Sequence, residues 1–305
     1  MKLQSTAILA AIFVIFLSAC KDCDDKKTYN PNHLKRLLET KKCPKCDLSG
    51  ADLSNTDLAG ADLRGAELSA AKLDGANLSN ADLTGAELRY RDDVGDKGKM
   101  GIAEIGDFNC NVTYKATLIG VNLQGAKLPG VDLSTLDLSG ANLGGADLER
   151  ADLSAADLEN ATLEQANLEG ADLENALLYN ANLQRANLTS VNLRISSLSD
   201  ADLRKANLEH ADLRGASPRR ANFSQAQMRQ TNLSKADLSS AIFDGADIKG
   251  AFLVETYLID VNLQRVAYNK ETRWEGAYYD EQTNFPSGFD ENLKKQMRLW
   301  QENSR

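Results

Sequence analysis

The residues best suited to chemistry are two cysteines, Cys43 and Cys46, in a Cys-Pro-Lys-Cys motif. Such a pair can bind zinc, attach haem, exchange disulfides or form a structural disulfide. The motif lacks a second pair of zinc ligands, the histidine that follows a haem-attachment motif and the βαβ context of a thioredoxin-like centre. We therefore interpret Cys43 and Cys46 as a structural disulfide or buried thiols, in an oxidising compartment. Cys23 and Cys110 receive no assignment.

Carboxylates are the other candidates for chemistry, since the chain has 44 Asp and Glu residues and a net charge of −9. Paired carboxylates can hydrolyse glycosides, but here their spacing follows a repeat that places them on an exposed surface. With only His33 and His210, no Ser-His-Asp set is indicated, and no glycine-rich phosphate loop is present. The sequence predicts no catalytic residue, metal site or cofactor, and its negative charge argues against nonspecific nucleic-acid binding.

These side chains are positioned by a repeat of five residues. A leucine recurs at Leu138, Leu143 and Leu148, and a small residue stands two positions before nearly every one. A period of five fits neither an α-helix, which advances about 100° per residue, nor a strand, whose side chains alternate. It fits a backbone that turns after each short extended segment. Leu and Ala then point inward, Asp or Asn between them points outward, and the next two residues form a turn.

The Ala-(Asp/Asn)-Leu-x-x pattern resembles the pentapeptide-repeat family over about two thirds of the chain. The resemblance implies an all-β solenoid, a right-handed quadrilateral β-helix with four pentapeptides to a coil. Leu138 and its equivalents would be the central inward residues, and Ala141 and its equivalents the second inward set. About ten coils at about 4.8 Å each would make a rod about 48 Å long. Short helical caps are expected at both ends, because terminal repeats need covering.

The repeat also divides the chain. The pattern fails after Leu88 and resumes at Ala116, and the charged, glycine-rich residues between them are interpreted as a loop. In some family members such a loop contacts the partner, and loops also tolerate insertions for no functional reason. The predicted segments are a signal peptide (1–19), a lipid-anchored tether with an N-terminal cap helix (20–45), a first β-helix block (46–90), the interruption (91–115), a second β-helix block (116–270) and an aromatic C-terminal cap (271–305).

The first 19 residues have the parts of a secretory signal: Lys2, an apolar run over 7–17 and small residues at its end. That run is too short to span a bilayer comfortably. Leu-Ser-Ala-Cys at 17–20 resembles a bacterial lipoprotein signal, which implies lipid attachment at Cys20 and contact with a membrane through that lipid. An ordinary cleaved signal is the alternative. The lipoprotein interpretation predicts a periplasmic or outer-membrane face of the bacterial cell envelope.

Two finer predictions concern the interior. Phe223 and Phe243 are twenty residues apart, one full coil, and should stack inside the same wall. Pro218 takes an inward leucine position and cannot donate a backbone hydrogen bond, so a local defect is expected there.

The aromatic C-terminal segment is predicted to close the far end of the rod. A last helix should begin after Asp290, with Leu293, Met297 and Trp300 at i, i+4 and i+7. Because a C-terminal element joins two subunits in some family members, a homodimer through 271–305 is a further prediction.

Outward charges are distributed unevenly along the sequence. The middle is acidic, with Glu149, Glu159, Glu164, Glu169, Glu174, Asp132, Asp152 and Asp172. The next stretch is basic, with Arg185, Arg194, Arg204, Lys205, Arg214, Arg219, Arg220, Arg229 and Lys235. Mixed charge can serve solubility alone, or it can make a dipolar rod that docks on a charged partner.

The favoured hypothesis is a non-enzymatic, lipid-anchored structural or protein-binding rod of the cell envelope, with a protein partner that the sequence does not identify. The alternative is a DNA mimic, since some pentapeptide-repeat proteins resemble B-DNA in size and charge and bind DNA gyrase. An exported protein would not meet gyrase, and the basic stretch interrupts the negative face that mimicry requires.

Overall fold

Parallel β-bridges join each outward residue to the residue one coil further along the chain. In this computed structural model, which describes residues 29–88 and 116–301, most partners are 20 residues apart, as in Asp137 with Asp157 and Asp157 with Leu177. The bridge positions recur every five residues, so each coil has four walls. The predicted signal peptide, Cys20, Cys23, Cys110 and the predicted loop 91–115 lie outside the described residues.

The coil follows directly from the repeat. Ala156 and Leu158 are fully buried, Asp157 between them is half-buried, and the two residues after Leu158 are exposed. The Leu158 backbone N–H donates to the Leu177 carbonyl of the next coil at 2.7 Å. Each wall segment is so short that isolated bridges replace regular strands. The helices and strands in the described ranges are α1 (Pro31–Thr40), β1 (Tyr278–Tyr279), α2 (Glu291–Lys294) and β2 (Arg298–Leu299).

The corners explain the outward Asp and Asn. The second residue of a corner has φ near +60°, as in Gly140 at 65° and Asn160 at 58°, a conformation that Gly and Asn adopt at low cost. The Asp137 Oδ1 atom accepts the Ser139 backbone N–H at 3.0 Å, an Asx-type contact that fixes the turn. This contact recurs at many corners. The sequence predicted where the outward Asp points, but not that its side chain holds the turn.

Both interior predictions are confirmed. The Phe223 and Phe243 rings stack with centroids 5.1 Å apart and an interplanar angle of 17°, and both are buried. At Pro218, Ser217 and Asp237 form no bridge among the described residues, although Ser197 does pair with Ser217. The Arg219 side chain crosses this defect and donates to Asp237 Oδ2 at 2.7 Å.

At the N-terminal end, α1 packs against the first coil. Asn30 caps the helix by accepting the Asn32 N–H, and Leu37 is completely buried. The Asp47 backbone N–H, which has no earlier coil to pair with, donates to His33 Nδ1 at 3.0 Å. Immediately after α1, Cys43 and Cys46 form a disulfide with their Cα atoms 5.3 Å apart.

We expect His33→Ala to lower the free energy of unfolding of the N-terminal coil by about 1–3 kcal/mol, because it leaves the half-buried Asp47 N–H without an acceptor. Hydrogen exchange at Asp47, with urea denaturation, measures the effect. His33→Asn is the matched control, since its amide oxygen can accept the same bond. Equal exchange rates in wild type and His33→Ala would contradict the prediction.

The predicted C-terminal helix is wrong in its extent. Asp290 does cap a helix and accepts the Asn292 N–H, but α2 ends at Lys294. Arg298 and Leu299 instead pair in parallel with Tyr278 and Tyr279, so Trp300 follows a strand. A helix this short is marginal, whereas the exposed edge of β1 offers backbone partners, and the Trp300 N–H donates to the Tyr279 carbonyl at 2.6 Å.

The bridge spacing changes at two places. Lys72 pairs with Thr117 and Asp82 with Lys127, a spacing of 45 residues, which is 25 more than elsewhere. Across this insertion the Ala116 N–H donates to the Leu88 carbonyl at 3.1 Å, the bond that closes an ordinary corner. Near the C-terminus, Phe252 pairs with Arg273, 21 residues on. The four walls continue through both changes.

Candidate interaction surface

One wall carries a column of carboxylates, which we call the acidic wall. Asp132 bridges Asp152, and Asp152 bridges Asp172, so three aspartates lie directly above one another at the coil spacing of about 4.8 Å. Earlier in the same wall, Asp47 bridges Glu67 and Glu67 bridges Glu87. Sequence analysis missed these three acids, although a search at the coil period would have found them.

The glutamates predicted to make the middle acidic are not all brought together. Glu149 and Glu169 lie on the corner that precedes the acidic wall, and Glu174 lies on the corner that follows it. Glu159 and Glu164 lie on two other corners. The acidic wall with its two edges is therefore a defined surface, and the remaining glutamates face other directions.

The acidic wall ends at Asn192. Its Nδ2 atom donates to Asp172 Oδ1 at 2.9 Å and to Glu174 Oε2 at 3.2 Å. Arg194 then approaches Glu174, with Nη1 and Oε2 3.9 Å apart. From this coil onward the carboxylates have amide and guanidinium neighbours, so the strongest negative field lies on the N-terminal side of Asn192.

The basic stretch is largely neutralised by ion pairs. Some arginines reach back two residues within a wall, as Arg204 does to Asp202 at 2.6 Å. Others cross between coils, as Arg220 does to Asp200 at 2.6 Å. The further pairs are Arg214 with Asp212, Arg219 with Asp237, and Arg229 with Asp247. The stretch thus contributes less positive field than its composition suggests, which weakens the hypothesis of a dipolar rod.

These contacts shift carboxyl pKa values downward. The hydrogen bonds from Arg220 hold the pKa of Asp200 below its usual value. At Asp247, burial raises the pKa, but the contacts with Arg229 and the Lys249 N–H outweigh it and leave it lowered. A lowered folded-state pKa stabilises the fold above the unfolded-state pKa, and that stability is lost as pH falls through the folded-state value.

We expect Arg220→Gln to lower the free energy of unfolding at pH 7 by about 0.2–1 kcal/mol, as for other exposed ion pairs. The deficit should vanish well below pH 4, where Asp200 becomes protonated in both proteins. Urea denaturation across pH 7 to 2 tests this, with Lys205→Gln as the control. A deficit that persists at pH 2 would show that lost packing, and not charge, explains it.

The carboxylates at the C-terminal end are occupied structurally. A surface groove of about 550 Å³ is lined by Asp260, Asp280 and Trp300, among others. Asp280 Oδ1 accepts the Asp260 backbone N–H at 3.1 Å and the Thr283 hydroxyl at 2.7 Å. Burial raises the pKa of Asp280, but these donors outweigh it and the pKa is lowered. Asp280 is therefore an ionised turn-forming group and a poor general acid.

Metal-binding and membrane-spanning features were sought in the same ranges. Within residues 29–88 and 116–301, no group of three or more His, Cys, Asp or Glu residues is placed to hold a metal ion. No described helix has both the length and the apolar character needed to cross a bilayer.

The fold and this surface define a class of protein, a four-walled β-helix of five-residue repeats that displays its polar side chains on flat walls. The model of the family "Pentapeptide repeats" matches eight copies over residues 46–89, 116–154, 156–194, 196–234 and 221–258. The chain belongs to this pentapeptide-repeat family.

Several solved structures are similar to the chain. HetL, a pentapeptide-repeat protein involved in heterocyst differentiation regulation in the cyanobacterium Nostoc, is 29% identical over 82% of this chain and 96% of its own, with a TM-score of 0.32. Another Nostoc pentapeptide-repeat protein is 36% identical over 41% of this chain and 84% of its own, with a TM-score of 0.24. QnrB1, a plasmid-mediated fluoroquinolone resistance protein, is 19% identical over 73% and 90%, with a TM-score of 0.34. No curated protein sequence matches the chain.

Proposed function

We propose that this protein is a non-enzymatic, lipid-anchored rod of the bacterial cell envelope that binds a protein partner through its acidic wall. The observation that carries the proposal is the column Asp132, Asp152 and Asp172, bridged coil to coil on a rigid core. A column of like charges is unfavourable for folding, so a basic partner surface that neutralises it would gain affinity and speed of association.

Two observations support the envelope location. The Leu-Ser-Ala-Cys sequence precedes a polar segment, as expected if Cys20 carries the lipid. The disulfide between Cys43 and Cys46 fits an oxidising compartment, where such bonds persist.

The first test is the mass of the mature N-terminal peptide, taken from membrane and soluble fractions of the native host. We expect an acylated peptide that begins at Cys20 in the membrane fraction. An intact Met1 in the soluble fraction would overturn the lipid anchor and the envelope location together.

The second test addresses the acidic wall. In the triple variant Asp132→Asn, Asp152→Asn and Asp172→Asn, the amide oxygen can still accept the corner N–H, so the coil stays folded while three charges are removed. The control variant makes the same change at Asp137, Asp147 and Asp157 on other walls. Chemical crosslinking in intact envelopes should lose a specific partner in the first variant and keep it in the control. Equal crosslinking in both would contradict the assignment of this wall.

The alternative is a DNA mimic that binds DNA gyrase, and the same carboxylate column favours it. Its test is supercoiling by purified gyrase at stoichiometric amounts of this protein, where protection or inhibition would reverse our preference. The homodimer predicted through 271–305 is tested separately by analytical ultracentrifugation of wild type and Trp300→Ala.

A further inference from the structure

The N-terminal end of the rod carries an apolar face that the coil does not cover. On α1, Leu37 points into the core, whereas Leu38 is 52% exposed. Leu34 and Leu38 line a shallow groove of about 360 Å³ together with Tyr29, Pro31 and Lys35. Pro31, Leu34 and Leu38 are spaced i, i+3, i+7, so they lie on one face of the helix.

The same end is basic in an otherwise acidic protein. Residues 29–46 contain five basic side chains and one acid, Glu39, while the whole chain has a net charge of −9. The basic residues are Lys35, Arg36, Lys41, Lys42 and Lys45. Lys35 pairs with Glu39 at 3.8 Å and Lys41 with Asp57 at 3.0 Å, which leaves an excess of positive charge around the apolar face.

We propose that this face of α1, formed by Tyr29, Pro31, Leu34 and Leu38, docks on an anionic phospholipid bilayer and sets the rod upright on it. A short apolar face with a tyrosine and surrounding Lys and Arg is the composition that favours the membrane interface. The flanking basic residues are attracted to anionic headgroups. A protein partner would be expected to bury the apolar face in a fitted pocket, and nothing about a basic rim favours that over a lipid surface.

This inference rests on the proposed lipid anchor in one respect. Eight residues separate Cys20 from Tyr29, and even fully extended they span at most about 30 Å. A lipid at Cys20 would therefore hold α1, the first described element, within that distance of the bilayer. One lipid chain alone binds membranes weakly and reversibly, and a second contact strengthens such binding.

Quenching by brominated lipids tests the docking. The mature full-length protein carrying Leu38→Trp is bound to phosphatidylglycerol vesicles, with and without brominated acyl chains. Ile242→Trp is the control, since Ile242 is 48% exposed but lies on a wall about eight coils away, or about 38 Å. The parent protein supplies the background of Trp274 and Trp300.

We expect brominated lipid to lower the Leu38→Trp emission about twofold and to leave Ile242→Trp at the level of the parent. Unchanged Leu38→Trp emission in a protein whose N-terminal peptide is acylated would overturn this inference and leave the anchor intact. Equal quenching at both positions would show that the rod lies flat, which also overturns it. Quenching of Leu38→Trp in a protein without acyl groups would support the docking face while the anchor proposal fails.

Discussion

Deleting Asn160 alone should abolish the β-helix beyond that corner, whereas deleting the whole coil 156–175 should leave a folded protein. A corner contains two residues, and the Ala161 N–H closes it by donating to the Leu158 carbonyl at 3.0 Å. One residue fewer cannot complete this turn, and it moves every later residue by one place, so inward leucines would meet outward positions of the preceding coil. Removing 20 residues joins Ala155 to Ala176 in the original register.

Circular dichroism, limited proteolysis and the hydrodynamic radius distinguish the two deletions. The coil deletion should remain protease-resistant and shorten the rod by about 4.8 Å, and the single deletion should become protease-sensitive after residue 160. A resistant, full-length rod from the single deletion would show that corners tolerate missing residues. The 21-residue bridge from Phe252 to Arg273 shows tolerance only of an added residue, where the Gly250 N–H donates to Asn269 Oδ1 at 3.0 Å.

Phe223→Ala should lower the free energy of unfolding by about 3–5 kcal/mol, as expected for a fully buried aromatic side chain. The interior around it is narrow and rigid, so neighbouring coils cannot collapse into the space. Phe223 also loses its stack on Phe243, which contributes about 0.5–1.5 kcal/mol beyond its buried area. Urea denaturation with hydrogen exchange should show the loss concentrated in the adjacent coils, because each coil packs only on its neighbours.

Phe223→Leu is the matched control, since Leu203 and Leu263 occupy the same column of that wall. We expect it to cost less than about 1.5 kcal/mol. In the double variant Phe223→Ala and Phe243→Ala the costs should not add, because the second substitution removes a ring that has already lost its partner. Strict additivity would mean that the stack contributes no coupling energy.

The sequence predicts the coil well because the repeat states the same local rule many times. The period of five fixes which side chains turn inward, and the twenty-residue coil then places Phe223 on Phe243 and the defect at Pro218. All of these follow from backbone geometry alone.

Contacts that depend on competition between partners are harder to predict. Leu293, Met297 and Trp300 have helical spacing, yet the backbone of Arg298 and Leu299 pairs with β1, because an open wall edge gains more from pairing than from a short helix. The basic stretch was interpreted from composition, whereas Arg220 and Arg229 find carboxylates one coil away. The coil period brings such pairs close, but the side-chain conformation decides whether they form.

The corner at Leu88 and Ala116 gives the chain a natural site for grafting. Because the Ala116 N–H closes the turn on the Leu88 carbonyl as in an uninterrupted coil, everything between these residues enters and leaves through one turn. The solenoid does not need to know the length of what is inserted there. Evolution can exchange that segment without redesigning the rod, and an engineer can replace it with a foreign peptide epitope, which the protein would then display from its side.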